Sequence, residues 1–141
     1  MKYLLDTNII IYYLKGMYPQ IGEWLRHTPA SDICISAITV AELEYGARGS
    51  NNYEKNMSLY RQFISAFQIV DFDADAATCY GDIRYNLKNK GTPIGANDML
   101  IAASALSRGL VVLTHNSREF ERVDNLMVFD PCEDSENNQL E

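Results

Sequence analysis

Five short apolar runs, separated by stretches with helical spacing, constrain the fold of this chain more than any other feature. The runs are Tyr3-Leu4-Leu5, Asp32-Ile33-Cys34-Ile35, Gln68-Ile69-Val70, Leu110-Val111-Val112-Leu113 and Met127-Val128-Phe129. Apolar runs this short read as buried strands. Helical patterns lie between them: one entered at Asn8, one over Ile21–His27, one over Ser36–Arg48 capped by Ser36 or Thr39, and one over Tyr53–Phe67. Another follows an Asp73 cap from Ala74 to Lys90, one runs from an Asn97 cap to Ser107, and a short one includes Glu119 and Phe120. Gly49, Gly91 and Gly109 stand just past three helix ends, where glycine is favoured. Strands alternating with helices predict βαβ units, hence an α/β fold: a three-layer α/β/α sandwich around a mostly parallel sheet of about five strands.

A chain of 141 residues is long enough for one domain with its own core. The folded domain is expected over residues 1–130, with 131–141 an acidic, disordered tail. Glu133, Asp134, Glu136 and Glu141 in that tail carry four of the seven net negative charges, so the body is only mildly acidic at −3. Net charge therefore does not draw the body to nucleic acid, and such a role needs a metal or a local basic rim. Cys34, Cys79 and Cys132 are odd in number with no close pair, which predicts reduced thiols and a cytoplasmic setting rather than disulfides or a zinc site. No apolar run approaches the roughly 18 residues of a membrane span. The start of the chain, one lysine followed closely by Asp6, is unlike a secretory signal.

Acids recur where strands end and helices begin. Asp6 closes the first run, Glu42 lies in the helix after the second, Asp98 sits in the first turn of a helix, and Asn116 and Glu119 follow the fourth run. In a parallel sheet those places share the rim outside the carboxyl ends of the strands, where ligands bind. Carboxylates gathered there repel one another, and a divalent cation relieves the repulsion. Hard oxygen ligands point to Mg²⁺. A helix start also favours the ionised form of Asp98. Read singly, Asp6 is a helix cap and Asp98 a surface acid, and Glu42 competes with Glu44 for the inward direction.

The segments LLDTNIIIYYLKG at Leu4–Gly16, ISAITVAELEYGA at Ile35–Ala47 and IRYNLKNKGTPIGANDMLIAASALSRGLVVLTHNSREFERV at Ile83–Val123 together resemble the PIN-domain family, and within it the VapC-type toxins of bacterial toxin–antitoxin pairs. The resemblance implies a PIN-like fold and an Mg²⁺-dependent endoribonuclease, with Mn²⁺ as a substitute. It places metal-binding roles on Asp6 and Asp98 and a site acid on Glu42. Many PIN domains carry Asp where this chain has Asn116, so Glu119 is expected to contribute from the next turn. Ala96 stands where such chains often have proline. The family further implies a homodimer, a VapB-type antitoxin partner and an RNA substrate, for which a structured RNA such as tRNA fits.

Taken with the residues, this predicts that Asp6 and Asp98 hold the ion, that Glu42 and Glu119 hold waters or a second ion, and that in-line attack leaves a 5′-phosphate and a 3′-hydroxyl. Asn8, Ser36, Thr114 and Asn116 are suited to orient acids or waters. Neither His27 nor His115 is needed as a base. Lys88, Lys90, Arg118 and Arg122 are the cations available for a basic rim. Tyr12, Tyr13, Tyr45, Tyr60, Tyr80 and Tyr85 fall at helical spacing among apolar residues and are expected in the core or an interface. The alternative reading is a non-catalytic RNA- or protein-binding module on the same fold. An aspartyl-nucleophile phosphatase is disfavoured because Asn8 stands where its second Asp belongs.

Overall fold

A computed structural model describes residues 1–133, so residues 134–141 of the expected acidic tail lie outside the described part. The strands are β1 (Tyr3–Leu5), β2 (Ile33–Ser36), β3 (Gln68–Val70), β4 (Val111–Leu113) and β5 (Met127–Phe129). The helices are α1 (Thr7–Leu14), α2 (Pro19–His27), α3 (Ala37–Arg48), α4 (Tyr53–Ile64), α5 (Ala74–Lys90), α6 (Ala96–Leu106) and α7 (Ser117–Phe120). All five strands of the expected sheet form, and every pairing among them is parallel.

The strand order is β3-β2-β1-β4-β5. The chain builds outward from β1 through β2 to β3, then returns to lay β4 on the other side of β1. The point where the order reverses therefore lies between β1 and β4, and the crevice beyond their carboxyl ends is where such sheets bind ligands. Main-chain pairing continues past both strand ends there, with the Asp6 N–H donating to the Leu113 carbonyl at 2.9 Å and the Thr114 N–H to the Phe129 carbonyl at 3.0 Å.

Period-two alternation sends neighbouring residues to opposite faces. Leu4, Cys34 and Val112 pack with Ile83 and Leu87 of α5, with Ile101 and Ala105 of α6, and with Phe120. Leu5, Ile33, Ile35 and Leu113 pack on the other side with Ile9, Ile10, Ile21 and Leu43. Both faces are covered, which is why the strands read as continuous apolar runs. Ser36 caps α3 and Asp73 caps α5, each accepting a backbone N–H of the first turn, and Gly91 closes α5 in the left-handed region at φ 69°. Helix α4 ends at Ile64, short of the expected Phe67, whose ring stacks on Phe63 from the turn before β3.

The tyrosines divide. Tyr12, Tyr60 and Tyr80 are half-buried against the two cores, whereas Tyr45 is 83% and Tyr85 66% exposed, so neither of these belongs to the core. Both stand on outward helix faces, because an amphipathic spacing does not by itself tell which aromatic turns in.

Phe120 is fully buried although its helix is only four residues long, and it anchors the segment after β4 to the core. Phe120→Ala is expected to lower unfolding free energy by about 3–5 kcal/mol, as measured by urea denaturation.

Candidate active site

Asp6 is delivered by β1 to the reversal point and is 4% exposed. It also caps α1, so the capping and functional readings are not rivals. Its Oδ1 accepts the Thr7 N–H at 2.8 Å, and its Oδ2 accepts the Thr114 hydroxyl at 2.8 Å. Thr114 is the residue after β4, so one hydrogen bond joins the two strands that flank the crevice. Burial pushes Asp6 up to about 6, against these two hydrogen bonds and with the charges of Glu42 and Glu119 adding to the rise.

Glu42 points inward from α3 and Glu44 points away. The Thr7 hydroxyl reaches Glu42 Oε1 at 2.6 Å and lies 3.0 Å from the Thr39 hydroxyl. Thr7 has one hydroxyl proton, so it donates to the carboxylate and accepts from Thr39. Ser36 Oγ in turn donates to Thr39 at 3.4 Å, giving a line of hydroxyls directed at Glu42. The Asn97 amide approaches the other oxygen, Oε2, at 3.4 Å. Glu44 instead accepts the Tyr53 hydroxyl at 2.6 Å and pairs with Arg48 at 3.3 Å.

Asp98 lies in the first turn of α6, but the cap is Gly95, not Asn97. The Gly95 carbonyl accepts the Met99 N–H at 3.0 Å, which puts the cap two residues before the expected one and starts the helix at Ala96. Ala96 thus occupies the first helical position, where proline is tolerated. A Cβ added to Gly95 would meet Asp98 Oδ2 at 3.3 Å, so the absence of a side chain leaves room for that carboxylate. The helix start does not keep Asp98 ionised as expected. Burial comes first, followed by the charges of Asp6, Glu119 and Glu42 and a hydrogen bond with Glu119, and together they push Asp98 up to about 7.

Glu119 reaches the group from α7, and Asn116 holds it there by donating its amide to Oε2 at 3.0 Å. Asn116 positions a carboxylate instead of supplying one. Four acids from four elements therefore converge, close enough for Asp98 to feel the charges of the other three and for Asp6 to feel those of Glu42 and Glu119. No Lys or Arg pairs with any of them among the described residues, and residues 134–141 contain no basic side chain. An all-oxygen donor set that crowds negative charge without a cation of its own fits a hard divalent ion.

The remaining expected site residues fall elsewhere. Asn8 is exposed, and Thr7 beside it does the orienting. Ser36 acts through Thr39. Lys90 pairs with Asp124 at 2.8 Å and Arg122 donates to the Pro93 carbonyl at 3.0 Å, so half of the expected basic rim has structural contacts instead. Lys88 and Arg118 are exposed. His115 turns to Asp130, away from the four acids. Thr7 and Gly95 are not distinguished by the sequence patterns, and Thr39 only as a candidate helix cap, though all three lie within the PIN-like segments.

The carboxylate cluster lies at the reversal point of a doubly wound parallel sheet, the place where such folds bind their ligands. The chain belongs to the PIN-domain family, whose PIN domain pattern matches residues 3–126. It is similar to the tRNA(fMet)-specific endonuclease VapC of Salmonella typhimurium, with 44% identity over 132 residues covering 94% of this chain and 99% of that protein. Ribonuclease VapC2 of Haemophilus influenzae is 43% identical over 123 residues, covering 87% of this chain and 92% of its own. Among solved structures, the fold matches the DNA-bound VapBC from Salmonella typhimurium with a TM-score of 0.88 at 44% identity, over 94% of this chain and 99% of that one. VapBC-1 from nontypeable Haemophilus influenzae matches with a TM-score of 0.85 at 37% identity, over 94% of this chain and 100% of that one.

Two predictions follow from the geometry. Asp6 and Asp98 titrate above the ordinary 3.8 of aspartate, at about 6 and about 7, so the folded metal-free protein binds protons that the unfolded chain has released. Their contribution to stability is present below pH 4 and is lost as pH rises to about 7. Asp98→Asn removes part of that loss, so in chelator its Tm is expected to overtake that of the parent between pH 4 and 7, by several degrees at the upper end. Equal pH profiles for the two proteins would contradict this. Gly95→Ala, which leaves φ at −56°, is expected to keep Tm within about 2 °C of the parent while crowding Asp98 and lowering nuclease activity about 10-fold.

Proposed function

We propose that this chain is a divalent-metal-dependent endoribonuclease, the toxin of a VapBC-type pair, and that it hydrolyses RNA phosphodiesters with activated water. The reading rests above all on one observation: Asp6, Glu42, Asp98 and Glu119 converge without a basic partner. Asp6 and Asp98 would hold Mg²⁺, with Mn²⁺ able to replace it, and Glu42 and Glu119 would hold waters or a second ion. A bound divalent ion supplies Lewis-acid charge for the phosphate and lowers the pKa of a water. Thr114 and the Thr7 N–H fix the plane of Asp6, the Ser36–Thr39–Thr7 hydroxyls fix Glu42, and Asn116 fixes Glu119. No histidine faces the four acids, so proton transfer falls to these carboxylates and their waters. In-line displacement leaves a 5′-phosphate and a 3′-hydroxyl.

A groove of about 360 Å³, lined by Ile38, Ala41, Glu42, Tyr45, Asn97 and Leu100, opens directly beside Glu42. The exposed Tyr45 ring at its edge is suited to stack an unpaired base of an RNA loop. A tRNA is the substrate class we favour, because the Salmonella relative is named for one. The antitoxin is a VapB-type protein whose amphipathic helix fits the apolar groove lined by Val40, Met57, Ile64 and Ile69. An arginine from that partner among the acids would displace the metal by charge. The active protein is a homodimer in the cytoplasm; among the described residues no helix is long and apolar enough to cross a membrane.

With Mg²⁺ or Mn²⁺ the purified chain is expected to cleave tRNA, initiator tRNA first, and to stop when the ion is chelated. Asp6→Asn and Asp98→Asn should each lose at least about 100-fold, more than the roughly 10–100-fold typical of residues that merely orient a ligand. If no RNA is cut and Asp98→Asn arrests growth like the parent, the non-catalytic binding module replaces this reading.

A further inference from the structure

We propose that His115, Asp130 and Cys132 form a second metal site, for a thiophilic divalent cation of the zinc type, which clamps the loop after β4 to the segment after β5. Sequence spacing gives no hint of it, because 15 residues separate His115 from Asp130 and the cysteines form no close pair. Parallel pairing of β4 with β5 brings them together, since both strands point their carboxyl ends the same way and the two following segments emerge side by side.

One ligand atom from each of the three residues lies within 4.8 Å of the other two. His115 Nδ1 stands 3.1 Å from Asp130 Oδ2 and 3.3 Å from Oδ1. The Cys132 N–H donates to Oδ1 at 2.8 Å, which fixes the carboxylate plane from behind. Zinc bonds of about 2.0–2.3 Å at tetrahedral angles put neighbouring ligand atoms about 3.3–3.8 Å apart, so only small side-chain adjustments are required. Pro131 between the acid and the thiol removes one backbone freedom from the pair. Asp130 is 8% exposed and has no Lys or Arg partner, only His115.

The donor set decides the ion. One nitrogen, one oxygen and one sulfur suit zinc-type ions and not Mg²⁺, which wants oxygen alone. Three protein ligands leave a fourth position to water. The half-exposed imidazole gives access, while Tyr18 at 4.7 Å and Tyr12 at 6.2 Å wall its other side. The site is separate from the four acids, and its occupancy does not depend on the nuclease reading.

Cobalt(II) titration of the full chain with reduced thiols tests it. One equivalent should give a thiolate-to-cobalt charge-transfer band in the near ultraviolet and the strong visible bands of a four-coordinate ion, both abolished by Zn²⁺ and unaffected by excess Mg²⁺. Cys132→Ser should lose the charge-transfer band, and His115→Gln should weaken binding at least about 10-fold. Asp98→Asn and Cys79→Ser should retain the full signal, and Zn²⁺ should raise the Tm of Asp98→Asn but not of the double variant Asp98→Asn, Cys132→Ser. If Cys132→Ser does not fold, His115→Gln carries the test alone. Absence of the band in the parent, or its survival in Cys132→Ser or at full affinity in His115→Gln, overturns the proposal.

Discussion

Uncompensated negative charge at the mouth of the parallel sheet governs the rest of this molecule. The reversal of strand order between β1 and β4 creates a crevice, and the chain lines it with carboxylates from four separate elements. Burial and mutual repulsion hold Asp6 and Asp98 well above the ordinary carboxylate range. A chain selected only for stability would pair such groups or replace them, because buried charge without a partner is strongly unfavourable. Among the described residues every buried side-chain polar atom has a hydrogen-bond partner, so what is unfavourable in this cluster is its charge and not a missing hydrogen bond. In this sense the site is a strained element supported by a well-packed frame.

That frame controls the carboxylates with neutral donors. Thr114 holds Asp6, Thr7 holds Glu42, and Asn116 holds Glu119. A lysine or arginine in any of these places would neutralise the charge of the carboxylate it held. Hydroxyl and amide groups orient without competing, and each leaves carboxylate lone pairs free. The line from Ser36 through Thr39 to Thr7 shows the same logic at one remove, since the N-cap of α3 also sets the proton direction of the hydroxyl facing Glu42.

The strand–helix alternation, the parallel sheet and the five strands were all legible in the sequence, because runs buried on both faces are short and apolar whatever their surroundings. The placement of Asp6 was legible for the same reason, as the first polar residue after such a run. What could not be read was local. The cap of α6 was assigned to Asn97 because asparagine is a strong cap, yet Gly95 takes that position, leaving Asn97 inside the first turn near Glu42. The choice between Glu42 and Glu44 depends on a helix rotation that the apolar neighbours on both sides leave open. A helix start favours an ionised Asp98, but that is a local feature; burial, and charges arriving from residues 21 to 92 positions away in the chain, push its carboxyl the other way. The helical spacing of Tyr45 is compatible with the core or with an interface, and only its 83% exposure excludes the core.

The tripeptide Thr114-His115-Asn116 concentrates these long-range effects. Three consecutive residues engage three different acids: Asp6 at the end of β1, Asp130 after β5, and Glu119 on α7. Successive side chains beyond a strand end point in different directions, so one short segment can tie together the central strand, the edge strand and a helix. The backbone joins the system too, as the Asn116 N–H donates to the same Thr114 hydroxyl that serves Asp6 at 2.9 Å. Displacement of this segment would therefore disturb Asp6 and Glu119 together, and with them Asp98, whose carboxyl hydrogen-bonds Glu119. Glu42 is held separately, by the Thr7 hydroxyl of α1 and the Asn97 amide of α6. The acids are thus not held alike: helix side chains fix one of them, and the loop after β4 reaches the other three.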